Sequence, residues 1–204
     1  MPDKELYINH AVSFANGKVS IDGTIAFEQL GDESIIQLMK RIFRETDKSY
    51  SKFHKMDRIS KLAYVTSELL IKQTDLQNID RNNVAMLFSN SSATIETDSK
   101  FQVSLNEIPS PALFVYTLPN IMVGEICIRN NFKGENLFFI EPTYNAELLV
   151  RNTQLLFTNS NTQLAVLAWV DFFSTDNYEC YMALISTEKK GSLLSEENLN
   201  SHFK

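Results

Sequence analysis

The stretch SPALFVYTLPNIMVGEICIRNNFKGENLFFIE, Ser110 to Glu141, decides how the rest of the chain is read. Pro119 suits the first turn of a helix, where a missing N–H costs nothing. Asn120 to Arg129 is apolar on nearly every face, and Gly124 in its middle marks a close backbone approach. Phe132-Lys133-Gly134 is expected to stop this helix. Leu137-Phe138-Phe139-Ile140 is then an apolar run of strand length without alternation. A helix and a strand that are apolar on every side imply an interior, or an interface, on two sides.

The flanking segments extend this pattern. Leu6 to Phe14 reads as a strand closed by an Asn16-Gly17 turn. Asp32 is placed to cap a helix carrying Ile35, Leu38, Met39 and Ile42 on one stripe. Asp57 to Lys72 sets Ile59, Leu62, Ala63, Thr66, Leu69 and Leu70 at core-facing spacing. Asp80 to Asn83 connects to a second buried strand, Val84 to Phe88. Asp98 to Asn106 is polar and partly helical, ended by Pro109 and Pro111. Thr143 to Thr158 forms a helix in which Leu148, Leu149, Val150, Leu155, Leu156 and Phe157 cover an arc of about 200°. One sheet face needs about half of that arc, so the helix is expected to be packed from two directions. Gln163 to Val170 is a buried strand, and after a turn at Ser174 to Asn177 the strand Tyr178 to Thr187 returns antiparallel. The order βαβαβαββ predicts an α/β fold: a five-stranded mixed sheet with helices on both faces. One domain is expected over residues 1–188, with a flexible tail over 189–204 that has room for one short helix.

Composition narrows the function classes. The chain has 204 residues and a net charge of −6, which argues against nucleic acid, whose binders carry a basic stripe. No apolar run reaches the roughly 18–20 residues of a membrane span, and Met1-Pro2-Asp3-Lys4-Glu5 does not open a signal peptide. Cys127 and Cys180 show no metal spacing, so no metal or cofactor is expected, and reduced thiols fit a cytoplasmic protein.

In this setting the Ser110 to Glu141 stretch resembles the N-terminal half of a β-ketoacyl synthase, a thiolase-like condensing enzyme. The shared pattern is S-P-x-x-F-x-x-(S/T)-x-x-N-x-x-x-G-x-(I/L)-x-I followed by G-(P/E)-N and a buried strand. Phe53-His54-Lys55-Met56-Asp57-Arg58-Ile59-Ser60-Lys61-Leu62 and the Val84 to Asp98 segment, with its Asn90-Ser91-Ser92 tip, extend the likeness in the family's order. The resemblance implies half of a thiolase-like fold, the sequence stopping where a second half would follow. It also implies a nucleophilic cysteine just after the Leu137 strand. This sequence has Thr143 or Tyr144 at that place, and no cysteine stands within ten residues. The family's two supporting histidines belong to the second half.

Other residues are poor substitutes for that chemistry. Thr143 lacks a base beside it, Cys127 and Cys180 sit in apolar segments, and His10, His54 and His202 are scattered. The Asn90-Ser91-Ser92 tip is either an anion-binding turn or a plain connector. Glu125 is either a cross-interface partner or a solvated edge. The basic run Arg41, Arg44, Lys48, Lys52, Lys55, Arg58 and Lys61 would attract an acidic carrier protein, or is a solvated helical face diluted by Glu45, Asp47 and Asp57.

Three functions are consistent with these residues. The first is a non-catalytic ketosynthase-like subunit, a homodimer or a heterodimer with a full-length ketosynthase, in fatty-acid, polyketide or aryl-polyene-type biosynthesis. The second is a module binding an acyl carrier protein or an acyl chain, and the third is a residual acyltransferase. The expected interface comprises Asn120, Ile121, Val123, Ile126, Phe138 and Phe139 at a two-fold axis. Leu149 and Leu156 are expected beneath a second chain.

Overall fold

The computed structural model describes residues 4–47, 49–106 and 108–203. Its strands are β1 (Tyr7–Ala15), β2 (Lys18–Ile21), β3 (Thr24–Glu28), β4 (Val84–Asn90), β5 (Asn136–Ile140), β6 (Leu164–Ser174), β7 (Asn177–Ser186) and β8 (Ser192–Leu193). The helices are α1 (Ile35–Thr46), α2 (Arg58–Ile71), α3 (Ile95–Ser104), α4 (Pro111–Val115), α5 (Ile121–Asn130), α6 (Ala146–Asn159) and α7 (Glu196–His202). The sheet runs β3-β2-β1-β7-β6-β4-β5, with β8 paired to β1, so it holds eight strands among the described residues and not five. Of the three extra strands, β8 has only two residues, and β2 and β3 are short and mostly unburied, so they carry no apolar run to read. β5, β4 and β6 are parallel, and β7, β1, β2 and β3 follow antiparallel.

The sheet has helices on both faces, and strand parity assigns them. Val84, Met86 and Phe88 join Leu164, Val166, Ala168 and Val170 in a core with α1, α2 and α5. Ala85, Leu87, Ala165 and Leu167 join a second core with α6 and α7. In β1 the parity reverses. Ile8 belongs to the α6/α7 core and Val12 and Phe14 to the other, because the register slips between Ile8 and His10 and leaves Asn9 as a bulge.

Local signals explain most boundaries and correct a few. α1 is capped by Ser34 and not Asp32: Ser34 Oγ accepts from the Gln37 N–H and Gln37 Oε1 accepts from the Ser34 N–H, a reciprocal capping box. Pro119 lies in the turn before α5, while Pro111 occupies the first turn of α4. α3 begins three residues earlier than Asp98, at Ile95. α5 ends at Asn131, which takes the left-handed conformation (φ 56°). Gly134 serves a different purpose, since a Cβ there would collide with the Val84 carbonyl.

The largest correction concerns the C-terminus and α6. α6 is packed from two directions, as its arc requires, but the second cover belongs to the chain itself. Leu149 is fully buried and Leu156 is 9% exposed, in one core with Leu194, Leu199 and Phe203. Residues 192–203 are therefore not a loose tail. β8 pairs with Tyr7 and Ile8, the Leu194 N–H donates to the Leu6 carbonyl, and Ser195 caps α7 by accepting from the Asn198 N–H. Leu149 and Leu156 are thus removed from the expected interface. Leu199→Ala should lower unfolding free energy by about 2–5 kcal/mol, the cost of truncating a fully buried leucine. A urea midpoint unchanged by that substitution would mean the segment is not part of the folded core.

Candidate functional site

The place where the resemblance puts a nucleophile is the loop between β5 and α6. Asn145 caps α6, its Oδ1 accepting from the Leu148 N–H at 3.0 Å and its Nδ2 donating to Glu141 Oε2 at 3.1 Å. Thr143 and Tyr144 both precede this cap, so neither lies in the first helical turn where N–H groups would stabilise an anion. Thr143 is exposed. Tyr144 packs edge-on against Trp169 (6.1 Å) and Phe203 (5.2 Å), and its buried hydroxyl has no hydrogen-bond partner among the described residues. Burial pushes this phenol well above its ordinary value, so it is held neutral.

The histidines are committed elsewhere. His10 bonds Asp22 and Lys190, His54 packs edge-on against Phe43 and Phe53, and His202 lies 3.3 Å from Ser192 Oγ. Burial raises the Cys127 thiol to about 11 and the Cys180 thiol to about 12, the wrong direction for a nucleophile.

The Asn90-Ser91-Ser92 tip is a connector with a built-in partner. Asp171, buried at the end of β6, accepts from the backbone N–H and the hydroxyl of both Ser91 and Ser92 at 2.7–3.3 Å. The donors an external anion would need are therefore occupied by a carboxylate of the same chain.

Glu125 is neither a cross-interface partner nor a solvated edge. It is 3% exposed inside the subunit, accepting from the Tyr50 and Tyr116 hydroxyls at 3.0 Å and paired with Lys52 at 3.3 Å. One turn further along α5, Arg129 Nε donates to Asp47 Oδ2 at 2.7 Å, and Asp47 also accepts from Tyr64 and Ser49. Burial alone would raise the Asp47 carboxyl. The bonds from Ser49, Arg129 and Tyr64 outweigh burial and hold it far below the usual carboxylate range. These contacts disperse the basic run as well. Arg41 pairs with Glu33, Arg58 with Glu96 and Lys52 with Glu125, and Lys61 donates to the Met56 carbonyl. Arg44 and Lys55 are exposed, and Lys48 lies outside the described residues.

With its inner face fixed by these bonds, α5 turns Asn120, Gly124, Cys127 and Ile128 outward. Val123 and Ile126, expected at the interface, are 3% and 0% exposed and belong to the subunit's own core. Ile121, Phe138 and Phe139 are half-buried. β5 is the last strand of the sheet, with one edge unpaired. Between it and α5 runs a groove of about 200 Å³ lined by Asn120, Val123, Gly124, Cys127, Leu137 and Phe138. Gly124 has ordinary helical geometry, and a Cβ on it would meet nothing within 4 Å. Nothing inside the subunit requires that glycine, although it costs the helix about 1 kcal/mol relative to alanine.

Sequence reasoning allowed a short helix in the tail but missed that the segment covers α6, and it missed the buried sites of Asp47 and Asp171. The cover had a readable signal: Ser195 followed by two glutamates is a helix start, and Leu194, Leu199 and Phe203 surround it. The carboxylate sites had none, because Asp47 and Arg129, or Asp171 and Ser91, are far apart in the chain.

The same network contains a group at odds with its surroundings. Glu68 on α2 is 6% exposed and accepts from Asn130 Nδ2 at 3.0 Å. Burial raises its pKa above 4.5, and the Asn130 bond and Arg129 charge only partly oppose this. A carboxyl whose folded value exceeds its unfolded value destabilises the fold at neutral pH, and the penalty disappears as pH falls through the folded value. Glu68→Gln should therefore raise the melting midpoint at pH 7 by about 2–4 °C, the shift expected for about 1 kcal/mol in a chain of this size. The gain should vanish below about pH 4.5, the unfolded value. A gain independent of pH in thermal melts would contradict this assignment.

No family model and no curated protein matches the sequence. Solved structures share its fold. The ishigamide ketosynthase/chain length factor superposes with a TM-score of 0.61 at 11% identity, covering 89% of this chain and 62% of that one. The ketosynthase ApeO in complex with its chain length factor ApeC, from Xenorhabdus doucetiae, gives 0.57 at 11% identity over 92% of this chain and 80% of that one. The AntDE:AntF complex, a type II PKS acyl-carrier protein with its ketosynthase bound to the hexaketide, gives 0.62 at 10% identity over 92% and 64%. The chain thus spans a little under two thirds of the length of the first and third. The chain shares the thiolase-like fold of these ketosynthase structures, with a mixed sheet and helices on both of its faces.

Proposed function

We propose that the chain is a non-catalytic, ketosynthase-like subunit that associates with a condensing enzyme in fatty-acid, polyketide or aryl-polyene-type biosynthesis, in the cytoplasm. The observation that carries this reading is the combination of a ketosynthase-like fold with a nucleophile position held by Thr143 and Tyr144, neither beside a base. Likeness to chains described as ketosynthase with chain length factor supports the pairing of such a subunit with an active one. A surface depression of about 650 Å³ between Lys4, Asn82, Lys133 and Asn161 is lined mainly by polar side chains, amides, amines, hydroxyls and Glu135, and does not suit an acyl chain. That disfavours the acyl-binding module as the second reading.

The contact surface in this reading is the unpaired edge of β5 with the outer face of α5. Ile128 is 64% and Ile140 51% exposed there, beside the half-buried Leu137, Phe138 and Phe139. An apolar strand edge in solvent invites pairing with another chain. The partner is a second copy or a full-length ketosynthase. Gly124 leaves the helix bare where a partner's backbone would approach. Among the described residues of the basic run, an acyl carrier protein would meet Arg44, Lys52 and Lys55 as exposed cations, Lys52 being paired with Glu125.

Two outcomes follow. Incubated with acyl-carrier thioester and malonyl carrier, the protein should gain no mass at Thr143, Tyr144 or either cysteine and release no extended product. A stable adduct at Thr143 would end the non-catalytic reading. Gly124→Leu should leave the isolated subunit folded, or stabilise it by up to about 1 kcal/mol through helix propensity, while weakening association at least tenfold by analytical ultracentrifugation, alone or with a ketosynthase. A wild-type monomer at micromolar concentration under both conditions would refute the interface.

A further inference from the structure

A second chemical cluster lies away from the β5–α6 junction, where β1 meets the loop that leads into β8. Asp22 takes a positive φ of 50° in the β2–β3 turn, and its Oδ1 accepts the Ala11 N–H at 2.8 Å. Its Oδ2 lies 2.7 Å from His10 Nδ1, and His10 Nε2 lies 3.0 Å from Lys190 Nζ. The donors decide the tautomer. A carboxylate only accepts, so Nδ1 carries the proton, and an ammonium only donates, so Nε2 is the bare nitrogen. His10 is a side chain 12% exposed, whereas Lys190 is open to solvent.

The backbone is shaped to hold this arrangement. The Asn9 bulge re-aims β1, and Asn9 Nδ2 donates to the carbonyls of Glu188 and Lys190 at 3.0 and 2.9 Å. Asn9 Oδ1 accepts from Ser186 Oγ, which in turn accepts the Glu188 N–H. Gly191 takes φ +82° and sits so tightly against the Ile8 carbonyl that no Cβ fits. Lys190 is thus fixed at both flanks beside a histidine that is itself oriented by a carboxylate.

We propose that Asp22, His10 and Lys190 form a relay that activates the Lys190 amine as an acceptor of acyl groups from thioesters. The relay itself stands on this geometry alone, whereas the choice of a thioester as acyl donor rests on the ketosynthase-like reading. His10 Nε2 takes a proton from the Lys190 ammonium and passes it to solvent. The freed lone pair attacks the thioester carbonyl carbon and a C–N bond forms. As the tetrahedral intermediate collapses the C–S bond breaks, and the second nitrogen proton travels through the same ring to the departing thiolate. The products are an amide on Lys190 and a free thiol, with one proton released. His10 is the general base, and Asp22 is a positioning residue that holds the ring's tautomer and balances the imidazolium.

Lys189 provides an internal control, being adjacent, 76% exposed in its side chain and paired with Glu5 at 3.3 Å without a histidine. The full chain is incubated with S-acetyl-N-acetylcysteamine and acetylation at the two lysines is followed by peptide mass spectrometry. Lys190 should react on the order of tenfold faster than Lys189, below the 10²–10⁴ range of a fully enclosed acid–base site. His10→Gly should bring the two rates together, and added imidazole should restore the difference. Asp22→Asn keeps an oxygen for the Ala11 N–H but offers His10 a donor, which moves the ring proton to Nε2 and removes the acceptor for Lys190. It should abolish the preference while circular dichroism and the Lys189 rate stay unchanged. Equal rates in the wild type, or a Lys190 preference that survives both substitutions, would overturn the proposal and leave the cluster as a clasp for the β8 segment.

Discussion

Burial on both faces of β4 and β6 is the constraint on which the rest of the structure depends. All of β4 and the first nine residues of β6 are buried, so each strand needs cover above and below. Alternate side chains supply the two surfaces: Val84, Met86 and Phe88 meet α2 and α5, and Ala85 and Leu87 meet α6. The small residues Ala85 and Ala165 on the α6 side let that helix approach closely. α6 in turn must hide the far side of its own arc. Residues 192–203 join Leu149 and Leu156 in one core while Leu155 stays 46% exposed, and the β1 bulge at Asn9 is what allows Ile8 to join that layer while Val12 and Phe14 stay on the other.

A consequence is that α5 has a fixed orientation. Glu125 and Arg129 lie four residues apart on one face, and each is tied to the α1–α2 layer by short bonds to buried partners. Buried charges of this kind are costly unless paired, and removing one partner leaves the other uncompensated. The helix therefore has one register in which its polar residues face inward. That register turns Gly124, Cys127 and Ile128 outward beside the open edge of β5. Interior electrostatics determines which apolar residues remain for a partner.

The candidate site positions divide along the same line. The β5–α6 junction places Thr143 in solvent and packs Tyr144 against Trp169 and Phe203. Aromatic packing at this point comes partly from the C-terminal segment, since Phe203 stacks on Tyr181 and abuts Tyr144. The tip of the β4–α3 connection is closed by Asp171 in the same way. At the tip the donors that could meet a ligand are bonded within the chain, whereas at the β5–α6 junction Thr143 faces solvent and the Tyr144 hydroxyl is buried among aromatic rings.

The sequence by itself determined the element types, the α/β class and the two-sided burial of α6, because each is written in local periodicity and in runs of apolar residues. It also carried the glycine that no contact inside the subunit explains. Only the tertiary structure decided what covers α6, which face of α5 is free, and where Glu125, Asp47 and Asp171 find their partners. These outcomes depend on pairs separated by tens of residues: Arg129 with Asp47, Asp171 with Ser91, Lys190 with His10. The face on which a residue lies after the Asn9 bulge is likewise invisible in an apolar run. A single extra residue reverses strand parity without changing composition, and only pairing with β7 reveals it.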